Sequence, residues 1–162
     1  MRVQRAIVFG VLGAAAISVV SAGLRLVGLP IRLELLLGTA LGLQPGVPAF
    51  FVGLAMHLAI GGAFGLLYGW LFETVWNHGG ASTGMILAVV HASLIGMAVG
   101  LTPQFHPMVP HHLPDPGPFF ANAGVLGVLT FFGAHILYGA IVGHGYGHVA
   151  AESQWAPLSG RT

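Results

Sequence analysis

Four long apolar runs dominate the pattern of hydrophobic and polar positions along the chain. They cover residues 6–24, residues 49–72, residues 83–101, and a last run from 119 or 121 to about 147. A helix needs about 20 apolar residues to cross the hydrocarbon core of a bilayer. The pattern therefore predicts an all-α protein, a four-helix transmembrane bundle.

The connections between the runs differ in length and character. Residues 25–46 contain a short apolar segment, 30–37, which predicts a short helix lying at the membrane interface. Residues 102–118 carry six prolines and predict an extended segment with little regular structure. The first run also resembles a signal peptide, because small residues around Ser21 could form a cleavage site. We favour an uncleaved span, because the repeat described below needs it as a partner.

Composition supports the membrane assignment and excludes several other classes of protein. Only 9 of 162 residues are charged, 6% of the chain, whereas a soluble domain carries about 25%. Disorder is excluded as well, since it requires low hydrophobicity and high net charge. The absence of cysteine excludes disulfides and thiolate sites, and a net charge of +1 argues against a nucleic-acid partner.

The few arginines suggest an orientation in the membrane. Four spans place both termini on one side, which then carries Arg2, Arg5 and Arg161, while Arg25 and Arg32 lie on the other side. The positive-inside rule favours cytoplasmic termini, in a bacterial inner membrane. Four aromatic residues suited to an interfacial belt fall on the same side: Trp70, Trp76, Tyr146 and Trp155.

Two of the runs carry the same motif, His-x3-Gly-x3-Gly-x2-Tyr-Gly, at a constant offset of 78 residues. The copy in the second run consists of His57, Gly61, Gly65, Tyr68 and Gly69. The copy in the fourth run consists of His135, Gly139, Gly143, Tyr146 and Gly147. The first and third runs align more loosely, with Gly23 against Gly100.

The repeat predicts a duplicated helical hairpin within one membrane domain, residues 1–162. The first hairpin covers about residues 5–76 and the second about 83–150, followed by a short polar tail, 151–162. Both copies enter the membrane in the same direction, as parallel repeats do.

The glycines of the motif form a stripe along each helix, because residues four apart share a face. Small residues at this spacing let two helix backbones approach closely in lipid. We therefore predict that six glycines pack helices together: Gly61, Gly65, Gly69, Gly139, Gly143 and Gly147. The pair Gly96 and Gly100 on the third run predicts a further close contact.

The two motifs, with their flanking residues from Met56 and from His135, resemble those of a family of small bacterial four-span integral membrane proteins. The resemblance extends from the first span to about Gly147. It implies four spans and a bacterial inner membrane, and it implies no activity.

Three histidines, His57, His91 and His135, lie inside predicted spans at similar depth. An ionisable residue within a span is a functional candidate by default. Histidines that hydrogen-bond between helices are the favoured interpretation. The alternatives are a cofactor site for haem b or a chlorin, a transition metal held by three imidazoles, and movement of protons or solutes.

A second cluster occupies the proline-rich connection: His106, His111, His112 and Asp115. These side chains could bind Zn or Cu. We favour a stiff cap instead, because the segment lacks a fixed ligand spacing such as His-x3-His. His144 and His148 have that spacing, but without the Glu of a zinc protease motif they are interpreted, together with His78, as interfacial residues.

The sequence predicts no catalytic centre. All four carboxylates, Glu34, Glu73, Asp115 and Glu152, fall outside the predicted spans, and the chain has no Lys for a phosphate loop. We expect a non-enzymatic protein, a small accessory or structural subunit of a membrane complex or a homo-oligomer, in contact with lipid. The alternative is a haem-, chlorin- or metal-binding protein, and transport is a third class.

Overall fold

The structure, a computed structural model, describes residues 1–149, and in that part the only regular secondary structure is helical. The four long helices are α1 (Val3–Leu26), α3 (Val47–Thr74), α4 (Ala81–Val99) and α6 (Gly124–Tyr146). The shorter elements are α2 (Leu33–Thr39), α5 (Thr102–Phe105) and a 3-10 turn (Pro118–Ala123). The polar tail, with Trp155 and Arg161, lies outside the described residues.

The four long helices are long and apolar enough to cross a membrane. This confirms the predicted all-α four-helix bundle and makes the chain a multi-pass membrane protein. The long helices α1, α3 and α4 match their predicted bounds to within three residues. Helix α6 begins at Gly124, after the 3-10 turn. Pro48 and Pro118 occupy first-turn positions, where the missing N–H removes no helical hydrogen bond.

Helices α1 and α3 pack as an antiparallel pair through small residues. A methyl group added at Gly10 would overlap the carbonyl oxygen of Gly61, and one added at Gly65 would overlap that of Ala6. A methyl group at Gly61 would overlap the Ala14 side chain. Only small side chains permit this approach of two backbones.

Helices α4 and α6 pack through a matching set of contacts. A methyl group added at Gly84 would overlap the carbonyl oxygen of Gly139, and one added at Gly143 would overlap that of Gly80. A methyl group at Gly139 would lie 2.6 Å from the Cβ atom of Ala88. The contacting glycines of α3 and their equivalents on α6 are 78 residues apart, as in the sequence motif. The contacting residues of α1 and their equivalents on α4 are 74 residues apart, whereas the loose sequence alignment gave 77.

The two helix pairs are joined mainly where α1 meets α6. A methyl group added at Gly13 would lie 2.7 Å from the ring of Tyr138, and one at Gly145 would overlap the ring of Phe9. Helix α1 therefore presents one face to α3 and another to α6. Helix α3 makes few backbone contacts with α4 and α6, and it meets these two helices through side chains.

Helix α2 folds back onto the beginning of α3, on the side of the bundle opposite the termini (the loop side). A methyl group added at Gly38 would overlap the Ala49 carbonyl, and one at Gly53 would overlap that of Glu34. The Glu34 carboxylate is 1% exposed and lies 2.8 Å from the Arg25 guanidinium. The predicted short helix is present, and it packs against protein on the face that carries Glu34.

The opposite end of the bundle (the terminal side) is closed by polar contacts. The Tyr146 hydroxyl donates to the Glu73 carboxylate and accepts the Arg2 backbone N–H. The Arg2 guanidinium donates to the carbonyls of Tyr146 and His148, at 2.7 and 2.8 Å. These contacts tie the beginning of α1 to the ends of α3 and α6.

Candidate functional site

A cavity of about 410 Å³ lies inside the bundle, toward its loop side. All four long helices contribute to its wall, and α2 and the segment 102–106 cover it on the loop side. Most of the lining is aliphatic or phenylalanine side chains. The polar side chains of the lining are Ser21, His57, His91, Thr102, His106, Thr130, His135 and Tyr138.

The three intramembrane histidines all line this cavity. Helix α3 supplies His57, α4 supplies His91 and α6 supplies His135. The rings of His91 and His135 lie edge to face, with centroids 5.1 Å apart. The predicted similar depth of these residues therefore corresponds to one shared site.

His135 is oriented by its own helix. Its Nδ1 atom lies 2.8 Å from the carbonyl oxygen of Phe131, one turn earlier. The rings of Phe131 and His135 are also in contact, with centroids 4.4 Å apart. Since a carbonyl can only accept, the Nδ1 atom carries a hydrogen and Nε2 is left free.

His91 is held by two aromatic residues of α3. Its ring stacks on Phe64, with centroids 4.0 Å apart and planes 22° from parallel. Its Nδ1 atom lies 3.2 Å from the hydroxyl of Tyr68, a residue that is 1% exposed. Stacking and hydrogen bonding together fix the ring plane, and with it the position of Nε2.

The third histidine and the neighbouring tyrosine connect helices. The Nδ1 atom of His57 lies 2.9 Å from the hydroxyl of Ser18, which links α3 to α1. Tyr138 donates its hydroxyl to the carbonyl of Gly61 at 2.5 Å, which links α6 to α3. Of the three histidines, His57 and His91 bond to another helix, whereas His135 bonds within its own helix.

The site has some features of a metal centre and lacks others. A metal-binding histidine has its second nitrogen hydrogen-bonded, as His91 and His135 do. Within residues 1–149, however, no three His, Asp or Glu side chains converge as ligands of one ion would. A macrocycle also has no room between His91 and His135, because their rings are in edge-to-face contact.

The proline-rich connection uses its histidines differently. His106 donates from Nε2 to the Leu36 carbonyl at 2.8 Å, and its Nδ1 atom accepts the Met108 N–H at 3.1 Å. Both ring nitrogens are therefore engaged. His111 and His112 are exposed, and the Asp115 carboxylate accepts the Gly117 N–H. This arrangement is that of a cap on α2 and shows no set of converging metal ligands within the described chain.

The glycines of the motif occupy several kinds of position. Gly61 and Gly65 lie against α1, while Gly139 and Gly143 lie against α4 and the residue that precedes it. Gly69 lies against the Tyr146 ring and Ala6. Gly147 follows the end of α6 with a φ of +81°, beside the Arg2 guanidinium.

Other glycines of the chain also make close contacts. Gly96 and Gly100, predicted to form a further close contact, lie against Phe119 and Pro118. The partners of the two motif stripes are Gly10 on α1 and Gly84 on α4. The sequence carried a signal for these two partners, because small residues lie four positions apart around both Gly10 and Gly84.

Comparisons of the chain with protein-family models, with curated proteins and with solved structures found no match. The resemblance to a family of four-span bacterial proteins therefore stays a prediction.

Proposed function

We propose that this membrane protein binds a small, neutral and largely apolar molecule in the cavity between its helices. The observation that carries the proposal is the cavity of about 410 Å³, whose wall combines apolar side chains with three oriented histidines. Ligand sites in proteins typically measure about 300–1,000 Å³ and pair apolar walls with a few polar groups. The proposal concerns binding and includes no reaction.

The charge of the wall supports a neutral ligand. Among the described residues, the lining contains no Asp, Glu, Lys or Arg. An ion in this cavity would lose its hydration without gaining a counter-charge, at a cost of several kcal/mol. The Glu34 carboxylate, the buried end of the Arg25–Glu34 ion pair, does not line the cavity and is already neutralised by the Arg25 guanidinium.

A pair of variants in one helix tests the proposal. Ala134 lines the cavity, whereas a methyl group added at the adjacent Gly133 would meet no atom within 4 Å. The Ala134→Phe substitution places a ring inside the cavity, and Gly133→Phe places the same ring on the outer face of α6. The neutral fluorophore N-phenyl-1-naphthylamine serves as the probe, with the protein in lipid nanodiscs.

We expect saturable binding of the probe to the parent protein and to Gly133→Phe, above the uptake by empty nanodiscs. Binding to Ala134→Phe should weaken at least tenfold. Equal binding by Ala134→Phe and Gly133→Phe, or uptake no greater than that of empty nanodiscs, would contradict the proposal.

Two sequence-based predictions remain beside this proposal. Haem or chlorin ligation by a single histidine predicts an absorption band of the purified protein in the Soret or chlorin region. The role of accessory or structural subunit predicts co-purification with larger membrane partners after mild solubilisation.

A further inference from the structure

We infer that the molecule in the cavity carries a hydroxyl group, which bridges His91 and His135. This inference rests on the proposed function and specifies the chemical class of the ligand: a neutral alcohol or phenol with an apolar body. It follows from which nitrogen of each ring carries a hydrogen.

His135 presents a hydrogen-bond acceptor. Its Nδ1–H donates to the Phe131 carbonyl at 2.8 Å, and the neutral ring then carries a lone pair on Nε2. The neutral form is the favoured one because no charged side chain of residues 1–149 lines the cavity. The Nε2 atom has no hydrogen-bond partner within those residues, and it is not fully buried.

His91 presents a donor. Its Nδ1 atom lies 3.2 Å from the Tyr68 hydroxyl, and that hydroxyl has no second partner among the described residues. If Tyr68 donates, its hydrogen is satisfied and the neutral His91 ring carries its own hydrogen on Nε2. The reverse arrangement would leave the hydrogen of a buried phenol unpaired, at a cost of about 1–3 kcal/mol.

One hydroxyl group satisfies both rings. An oxygen atom that donates to one nitrogen and accepts from the other, at about 2.8 Å each and at its bent bond angle, joins nitrogens roughly 4.6 Å apart. The rings of His91 and His135 are neighbours whose centroids lie 5.1 Å apart, a separation similar to that span. An ether or a ketone can only accept, so it pairs with His91 and turns a lone pair toward His135. A hydrocarbon pairs with neither.

Three probes of similar shape test the inference on the unaltered protein. They are 4-tert-butylphenol, its methyl ether 4-tert-butylanisole, and tert-butylbenzene, each competing with N-phenyl-1-naphthylamine in nanodiscs. Concentrations are expressed per lipid, which removes differences in partitioning. We expect the phenol to displace the fluorophore at roughly five- to tenfold lower concentration than the ether, the effect of one additional neutral hydrogen bond.

Two variants test whether the preference for the phenol over the ether depends on His135. His135→Phe keeps a ring in the wall without the acceptor, so the phenol should lose its advantage over the ether. Gly133→Phe, whose ring lies on the outer face of α6, should leave the advantage intact. If His135→Phe does not fold, the three-probe comparison on the parent protein decides alone.

Different results would overturn this inference and the proposed function. Equal competition by all three probes, abolished by Ala134→Phe, overturns the hydroxyl inference and leaves the binding site in place. Competition that Ala134→Phe does not change overturns the proposed function, and the hydroxyl inference with it.

Discussion

The close contact between α4 and α6 gives a prediction whose size follows from the structure. A methyl group at Gly84 would overlap the Gly139 carbonyl oxygen and lie 2.9 Å from its carbon and 3.1 Å from the Gly143 Cα atom. These are backbone atoms, so relief requires the two helices to separate. Forcing an extra methyl group into tight packing costs about 1–3 kcal/mol.

The Gly84→Ala variant also gains helix propensity, about 1 kcal/mol, which would obscure the steric cost. Gly133→Ala supplies the matched control, because it gains the same propensity on α6 and its methyl group meets no atom within 4 Å. The propensity gain cancels between the two variants. We therefore expect Gly84→Ala to be less stable than Gly133→Ala by about 1–3 kcal/mol of unfolding free energy.

Unfolding in mixed micelles of increasing SDS content, followed by circular dichroism, measures this difference. Gly10→Ala should behave like Gly84→Ala, since its methyl group would overlap the Gly61 carbonyl oxygen. If Gly84→Ala and Gly133→Ala unfold at the same SDS fraction, the α4–α6 contact is not as close as described.

Three further predictions concern individual polar contacts. Tyr138→Phe removes the hydrogen bond to the Gly61 carbonyl and should lower the unfolding free energy by about 0.5–1.5 kcal/mol in the same SDS assay. Arg25→Ala leaves the buried Glu34 carboxylate without its counter-ion and should cost about 3–5 kcal/mol in the same assay. His106→Ala removes the bond to the α2 carbonyl and should speed proteolysis of residues 107–117, as measured by mass spectrometry of the released peptides.

Two of these three predictions have a matched comparison. A second substitution, Glu34→Gln, should recover much of the loss in Arg25→Ala, because a neutral amide needs no counter-ion; a further loss would contradict the assigned pairing. His112 is exposed, so His112→Ala should leave proteolysis unchanged. Equal proteolysis of His106→Ala and His112→Ala would refute the role of His106, and full stability of Tyr138→Phe would refute that of Tyr138.

The positions of the helices could be predicted from the sequence, because crossing a bilayer imposes a length and an apolar composition on each span. The prolines and charged residues marked the ends, so the first three helices match their predictions to within three residues. The Pro118–Ala123 turn was missed, because its tight backbone is stabilised by contacts such as that between Phe119 and Gly96.

The partners of the glycine stripes were not predicted, because a stripe shows that something lies close without showing which other run of small residues it meets. Equivalent positions of the motif also differ in their surroundings. Tyr68 meets His91 inside the bundle, whereas Tyr146 meets Glu73 and Arg2 at its terminal side. These roles depend on which helices become neighbours, and that is a property of the whole fold.

The cavity could not be predicted from the sequence. It exists because α1 joins the two helix pairs and α2 folds over them, and no local pattern specifies either arrangement. The sequence did single out His57, His91 and His135 and place them at similar depth. It could not show that Phe64, Tyr68 and Phe131 orient two of these rings.

Photolabelling tests the central claim most directly, because it locates the bound molecule. A 4-substituted phenol that carries a trifluoromethyl diazirine is irradiated with the protein in nanodiscs, and the labelled peptides are mapped by mass spectrometry. Binding in the cavity predicts labels on cavity-lining residues of α4 and α6, such as Ile95, Ala134 and Tyr138, which excess 4-tert-butylphenol suppresses. Labels confined to lipid-facing residues such as Leu94 and Leu129, unaffected by the competitor, would contradict it.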